Sequence, residues 1–213
     1  LLNGEEITIH CPNTGSMKNC QEPGSTIWFT TSQNKTRKYP CTLQLIEIRN
    51  GVLVGVNTGL SNKLVLEAIQ KKVINKFRGY SKIRTEVPYG QEKSRIDILL
   101  EYEKQSPCYI EVKNVSLGNS SGEGFFPDSV TIRGQKHLNE LMSVKNSGAR
   151  AVLFFCVQHS AVKSVAPAQE IDPMYAKLLR KAYASGVEVI AYRSKVNLTS
   201  STIELERELH VKV

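Results

Sequence analysis

The sequence predicts an α/β protein with a small all-β domain ahead of it. Three observations carry that prediction. Short runs rich in Ile, Val, Thr and aromatics, split by turn residues, fill residues 1–57. After Gly59 the apolar spacing changes to that of a helix. Helix-like and strand-like runs then alternate to the C-terminus, which describes a sheet covered by helices.

Each element has its own signal. "EEITIHCP", "STIWFTTS", "CTLQLIEI" and "GVLVGVN" read as strands, separated by "NTGS", "EPG", "SQNKTRKYP" and "RNG". Several short strands so close together predict a small sandwich or barrel over 1–57. "SNKLVLEAIQKKVINKF" is apolar at 65, 66, 69, 73 and 74, a helical spacing, with Ser61 or Asn62 as its cap. "SKIRTEVPYG", "SRIDILLEY" and "CYIEVKNVS" predict three strands, and "SLGNSSGEG" a flexible polar loop. "DSVTIRGQKHLNELMSVKNSG" predicts a capped helix ending at Gly148, and "RAVLFFCVQ" a buried strand. In "IDPMYAKLLRKAYASG", Asp172 is the N-cap, Pro173 the first helical residue and Gly186 the stop. "VEVIAYR" and "TIELERELHV" predict the last strands. The second domain runs over 58–213.

Composition narrows the function classes. At 40% hydrophobic and 23% charged, the chain can build ordinary globular cores. Its longest apolar run, Ala151 to Val157, is too short to span a bilayer, and no signal-peptide pattern opens it. Five scattered cysteines without a C-x-x-C pair predict reduced, buried thiols and a cytosolic protein. His10, Cys11, Cys20 and Cys41 lack zinc-ligand spacing. The net charge is +8, of which residues 1–57 carry +1 and residues 58–213 carry +7. Such a surface favours polyanions, nucleic acid above all, or simply solubilises the chain.

The chemistry concentrates in "CYIEVKNVS". Alternation sets Tyr109, Glu111 and Lys113 on one face, and Ile110, Val112 and Val115 mostly on the other. The preceding run "RIDILL" carries Asp97 among apolar neighbours, and a hairpin would set it opposite Glu111. Two carboxylates so placed repel unless a cation lies between them. Hard oxygen ligands of this kind suit Mg²⁺ or Mn²⁺. Lys113 would then orient or deprotonate a water, or neutralise charge on a phosphoryl oxygen. Glu67, one turn from Leu64, can face the sheet and add a third acid. The same side chains can instead form a salt-bridged patch.

Further donors lie nearby in sequence. Arg133, Gln135 and Lys136 sit near a helix start, where they can meet a DNA backbone or stay solvated. His137 stays open between that role and a hydrogen bond within the fold. Asp128 reads as a cap. Lys35, Arg37 and Lys38 surround Tyr39 in a loop that meets nucleic acid or forms a solvated hairpin tip. Asn13, Thr14 and Gly15 read as a tight turn, or as a loop near the same face.

"HCPNTGSM" (10–17), "RKYP" (37–40), "VNT" (56–58), "SRIDILL" (94–100), "YIEVKNV" (109–115), "FPDSVTIRGQKHLNEL" (126–141) and "GVEVIAYR" (186–193) occur in this order along nearly the whole chain. Together they resemble the bacterial sugar fermentation stimulation protein A family. The resemblance implies an OB-like barrel over 1–57, lacking its first strand because members begin about two dozen residues earlier. It implies a restriction-endonuclease-like (PD-(D/E)xK) α/β domain over 58–213, with a mixed sheet flanked by helices. In that motif Asp97 matches the first acid, Glu111 the second, Lys113 the lysine and Glu67 the acid of the first helix. Ile96 stands where such motifs often place Pro.

The resemblance further implies DNA binding of low sequence preference and a link to sugar (maltose) gene regulation. The motif alone implies Mg²⁺- or Mn²⁺-dependent endonuclease chemistry. The expected partner is DNA, held mostly by its phosphate backbone. No membrane partner is expected, and a homodimer stays open. Non-catalytic DNA-binding regulation is the competing reading, and a sugar- or RNA-binding module the weaker one. A helix-turn-helix described for the family would cover "YAKLLRKAYASGVEVIAYRS". Alternation of Val187, Val189, Ile190 and Tyr192 predicts a helix feeding a strand there instead.

Overall fold

A computed structural model describes residues 4–90 and 94–213. Its N-terminal part holds a three-stranded antiparallel sheet of β1 (Ile27–Thr31), β2 (Cys41–Ile48) and β3 (Val52–Gly55), with β2 in the middle. Cys20, Ile46, Val54 and Val56 form its small core. "EEITIHCP" was expected as a strand. The chain instead touches the sheet there through a parallel bridge between His10 and Thr42, with two hydrogen bonds of 2.9 Å.

The second part starts with α1 (Gly59–Gln70), followed by β4 (Lys82–Tyr89), β5 (Ser94–Glu101) and β6 (Cys108–Val115). A short hairpin of β7 (Leu117–Gly118) and β8 (Glu123–Phe126) leads to α2 (Ile132–Asn146) and β9 (Arg150–Val157). β10 (Ser164–Pro167), α3 (Pro173–Ala184), β11 (Glu188–Asn197) and β12 (Thr202–Val211) complete the chain. The mixed nine-stranded sheet runs β4-β5-β6-β9-β11-β12-β10-β8-β7. β6, β9 and β11 are mutually parallel in its centre. Among the described residues, no helix is long and apolar enough to cross a membrane.

Two apolar layers sandwich the sheet. On one side α1 buries Leu64, Val65, Ala68 and Ile69 against Ile98, Ile110, Val112 and Phe154. On the other, α2 and α3 bury Leu138, Leu141, Tyr175 and Leu179 against Leu99, Leu153 and Phe155. Val115 packs in this second layer with Tyr109, so it follows the odd-numbered face of β6 and not Ile110 and Val112.

The helix ends follow from local chemistry. Thr131 caps α2 by accepting from the Gly134 N–H, and Asp172 caps α3 by accepting from the Tyr175 N–H. All three helices close with a six-to-one backbone bond beyond a left-handed residue. That residue is Gly148 for α2 and Gly186 for α3, but Lys72 (φ 60°) for α1. α1 therefore stops at Gln70, short of Val73 and Ile74, and Thr58 precedes it where Ser61 or Asn62 was expected. Asp128 is not a cap. The "SLGNSSGEG" segment is not irregular either: the Asn119 side chain accepts from the Ser121 and Glu123 N–H groups and shapes the β7–β8 turn. After α3 the chain enters β11, so no helix-turn-helix forms at 174–193.

Candidate metal and nucleic-acid site

β6 runs through the middle of the sheet, so its side chains are enclosed by α1 on one face and α2 on the other. Its odd face presents Glu111 and Lys113 to α2. Glu111 is 2% exposed, and its Oε1 collects two contacts. Lys113 Nζ lies 2.7 Å away, and His137 Nδ1 of α2 makes a very short contact with the same oxygen. Its Oε2 is buried without a hydrogen-bond partner among the described residues. Burial alone would lift the Glu111 carboxyl. The His137 hydrogen bond and the Lys113 charge outweigh it and hold the group below the usual carboxylate range.

Asp97 belongs to the seam between β5 and β6. The antiparallel ladder joins Ile98 to Ile110 and stops there. Its next step would set Asp97 opposite Glu111. Instead Asp97 Oδ2 accepts the Val112 N–H at 2.7 Å, and Oδ1 accepts the Asn62 side-chain amide of α1 at 2.7 Å. The strand's alternation breaks here: Ile96 packs in the α2 layer and Ile98 in the α1 layer. Burial lifts the Asp97 carboxyl to about 6, helped by the charge on Glu111 and opposed by the Val112 hydrogen bond and the Lys113 charge. The charge on Glu111 thus bears on Asp97, although Asp97 is turned to Val112 and Asn62.

Glu67 is not brought to this cluster. It pairs with Lys71 one turn on and lines a separate apolar cleft with Trp28, Leu60 and Ile203. The helical residue that reaches Asp97 is Asn62. Five positions set Glu67 roughly 140° around the helix axis from it.

The basic residues separate into two groups. Arg133 stands at the start of α2, with Nε 3.5 Å from His137 Nε2. It lines a cleft of about 430 Å³ together with Lys113, Asn114, Thr131 and the 13–15 loop. Gln135 is committed elsewhere, its amide donating to both oxygens of Asp172 at 3.0 Å. Lys136 is half-buried on the next position. Lys35, Arg37 and Lys38 are exposed in the loop joining β1 and β2, with Arg37 on Thr42 at 3.2 Å and Lys38 over the Tyr39 ring.

The 13–17 loop reaches the mouth of the site. Ser16 donates to the Asp128 carbonyl at 2.7 Å, and the Met17 N–H to Asp128 Oδ2 at 3.1 Å. A Cβ on Gly15 would stand 2.4 Å from that carboxylate, which would have to shift. A polar knot of Ser61, Asn114 and Gln158 lies beyond: Asn114 Oδ1 accepts from Ser61 at 3.0 Å and Gln158 at 2.8 Å.

Two residues escaped the sequence reading. Asn62 looked like a cap. His137 was left open, although Gly134, His137, Leu138 and Leu141 form one helical stripe facing the sheet. That stripe was the available signal that the imidazole points inward.

The carboxylates suit a hard divalent ion. Among the described residues Glu111 Oε2 is a buried oxygen with no partner, and Asp97 is destabilised by its acidic neighbour. Among the described residues no three His, Cys, Asp or Glu side chains group as a complete ligand set. Mg²⁺ does not require one, since it takes one or two carboxylates and completes its shell with waters and phosphate.

Comparison with known proteins accounts for both parts. The family model "Sugar fermentation stimulation protein RE domain" matches residues 59–200, and "SfsA N-terminal OB domain" matches residues 1–56. A sugar fermentation stimulation protein homologue from Shewanella sp. (strain ANA-3) is 53% identical over 213 residues, all of this chain and 90% of the relative. One from Shewanella pealeana is 57% identical over 192 residues, 90% of this chain and 82% of the relative. The solved structure of Pyrococcus furiosus SfsA in complex with Ca²⁺ aligns with a TM-score of 0.85 at 28% identity, covering 95% of this chain and 84% of that one. The chain belongs to the sugar fermentation stimulation protein family, with an N-terminal OB domain and a larger nuclease-like α/β domain.

Proposed function

We propose that this protein binds DNA with low sequence preference and hydrolyses its phosphodiester bonds at the cluster of Asp97, Glu111 and Lys113. The observation that carries this reading is Glu111: a buried carboxylate beside a lysine, with one oxygen unpartnered among the described residues and a second carboxylate within electrostatic reach. The OB domain over 1–57 and the nuclease-like domain over 58–213 would together form the DNA-binding face. A Ca²⁺ complex of the Pyrococcus furiosus relative supports a divalent ion here, and Mg²⁺ or Mn²⁺ is the working ion of this reading.

Asp97 and Glu111 would hold that ion, which supplies Lewis-acid polarisation of the phosphate when bound. Lys113, 13% exposed in its side chain, offers its remaining N–H donors to charge growing on a phosphoryl oxygen. Arg133 and the N-terminus of α2 would seat a neighbouring phosphate. Lys136, Lys35, Arg37 and Lys38 would track the backbone farther out. Glu67 has no part in this chemistry. The sugar link carried by the family's name would then be an effect on the expression of sugar (maltose) genes.

One observation favours the non-catalytic reading. Lys113 already balances the Glu111 charge, and His137 bonds the same oxygen, so the cluster also suits a structural ion pair. Plasmid and single-stranded DNA incubated with Mg²⁺, Mn²⁺ or EDTA, with wild type and Asp97→Ala, separate the two. Cutting that needs the ion and disappears in the variant supports the enzyme. A gel shift without cutting by either protein supports the regulator.

A further inference from the structure

The contacts around Glu111 define a proton position. His137 Nδ1 and Lys113 Nζ both approach Oε1, and Nζ stands 3.0 Å from Nδ1. A carboxylate oxygen accepts and cannot donate, so Nδ1 bonds to Oε1 only in the tautomer that carries the proton on Nδ1. An ammonium cannot then donate to Nδ1, so Lys113 bonds to Oε1 and its closeness to the ring follows from the shared acceptor. With Nδ1 protonated, Nε2 is free to accept, and the donor facing it is Arg133 Nε at 3.5 Å. Arg133 and His137 lie one turn apart on α2, so the helix itself sets this register. The ring is 4% exposed, and α2 packs here so closely on α3 that a Cβ on Gly134 would stand 3.1 Å from Tyr175. The imidazole has little freedom to turn.

We propose that His137 is a positioning residue for the divalent ion: its Nδ1–H takes Oε1 of Glu111 out of play and leaves Oε2 as the oxygen that meets the cation. Arg133 fixes the tautomer by bonding Nε2. This inference rests on the proposed cation site of Asp97 and Glu111, and adds to it the device that orients one of its ligands. Without the imidazole, Lys113 alone restrains the carboxylate, which can rotate and offer either oxygen. Partners of this kind orient metal-ligating carboxylates, and losing one weakens metal affinity about 10-fold to 100-fold.

Ca²⁺ alone is the probe, titrated calorimetrically into wild type, Glu111→Gln, His137→Ala and His137→Asn. An asparagine side-chain amide places an N–H near the Nδ1 position. The expected result is Ca²⁺ binding by wild type, loss in Glu111→Gln, a dissociation constant raised about 10-fold or more in His137→Ala, and recovery to within about threefold in His137→Asn. Circular dichroism and melting of each variant separate folding defects from this effect, because His137→Asn carries the test if His137→Ala does not fold. Ring ¹⁵N shifts of wild type should report the Nδ1–H tautomer, which no general packing role would select. Undiminished binding by His137→Ala, equal weakness of both His137 variants, or an Nε2–H tautomer overturns the inference and leaves the cation site standing. Absence of Ca²⁺ binding by wild type overturns the cation site and this inference with it.

Discussion

Lys113 is half of a charged pair on a central strand. Its ammonium matches a carboxylate that burial would otherwise neutralise. Lys113→Ala is expected to destabilise the protein by about 2 kcal/mol, the size of a hydrogen bond to a charged group, measured by urea unfolding. It should not be fatal, because His137 remains on Oε1. An unchanged midpoint would mean that the pair contributes nothing to stability. Glu111 and Lys113 were legible as neighbours because a strand's period of two sets them on one face, whereas the break in alternation between Ile96 and Ile98 that turns Asp97 onto the Val112 N–H was not. Glu67 was misread because a helical acid near an apolar stripe does not reveal which edge of the stripe it flanks. Its pairing with Lys71 one turn away kept it at the solvent edge.

The legible helices were those with conventional punctuation. α3 begins at Asp172-Pro173 and ends before Gly186, and both signals act as written. α1 ends at a left-handed Lys72, where nothing in the sequence marks a stop. The β7–β8 hairpin was hidden because Gly and Ser dominate it, and the Asn119 side chain supplies the turn. Asp172 joins two helices, accepting from Tyr175 of α3 and from Thr131 and Gln135 at the start of α2. Burial raises its carboxyl, but the hydrogen bonds from Thr131, Tyr175 and Gln135 prevail and lower it. Its contribution is therefore present above the unfolded carboxylate pKa and lost as pH falls through the lower folded value. Asp172→Ala should cost about 1–2 kcal/mol at pH 7. Thermal melts should show the gap between wild type and Asp172→Asn narrowing as pH falls below about 4.

The two domains meet along backbone, not merely along side chains. The Gly55 N–H donates to the Gln158 carbonyl at 2.7 Å, and Val54 bridges His159. A Cβ on Gly55 would stand 2.5 Å from Gln158 Oε1 and 2.8 Å from its Cβ. Gly55→Ala should thus strain the junction by about 1–3 kcal/mol, visible as faster hydrogen exchange at Val54 and His159. Unchanged exchange would show that the junction yields without cost. None of this was readable in advance, since a glycine in a strand does not name what approaches it. The charge, by contrast, was plain in the sequence: +7 of +8 lies beyond residue 57. If phosphates are its partner, DNA affinity in gel-shift titrations should fall at least about 100-fold between roughly 50 and 200 mM salt. The most direct test of the site is a crystal soaked in Mn²⁺ and measured at the manganese absorption edge. An anomalous peak about 2.0–2.4 Å from Glu111 Oε2 and an Asp97 oxygen is the expected result. Strong manganese peaks elsewhere, with none between these two carboxylates, would contradict it.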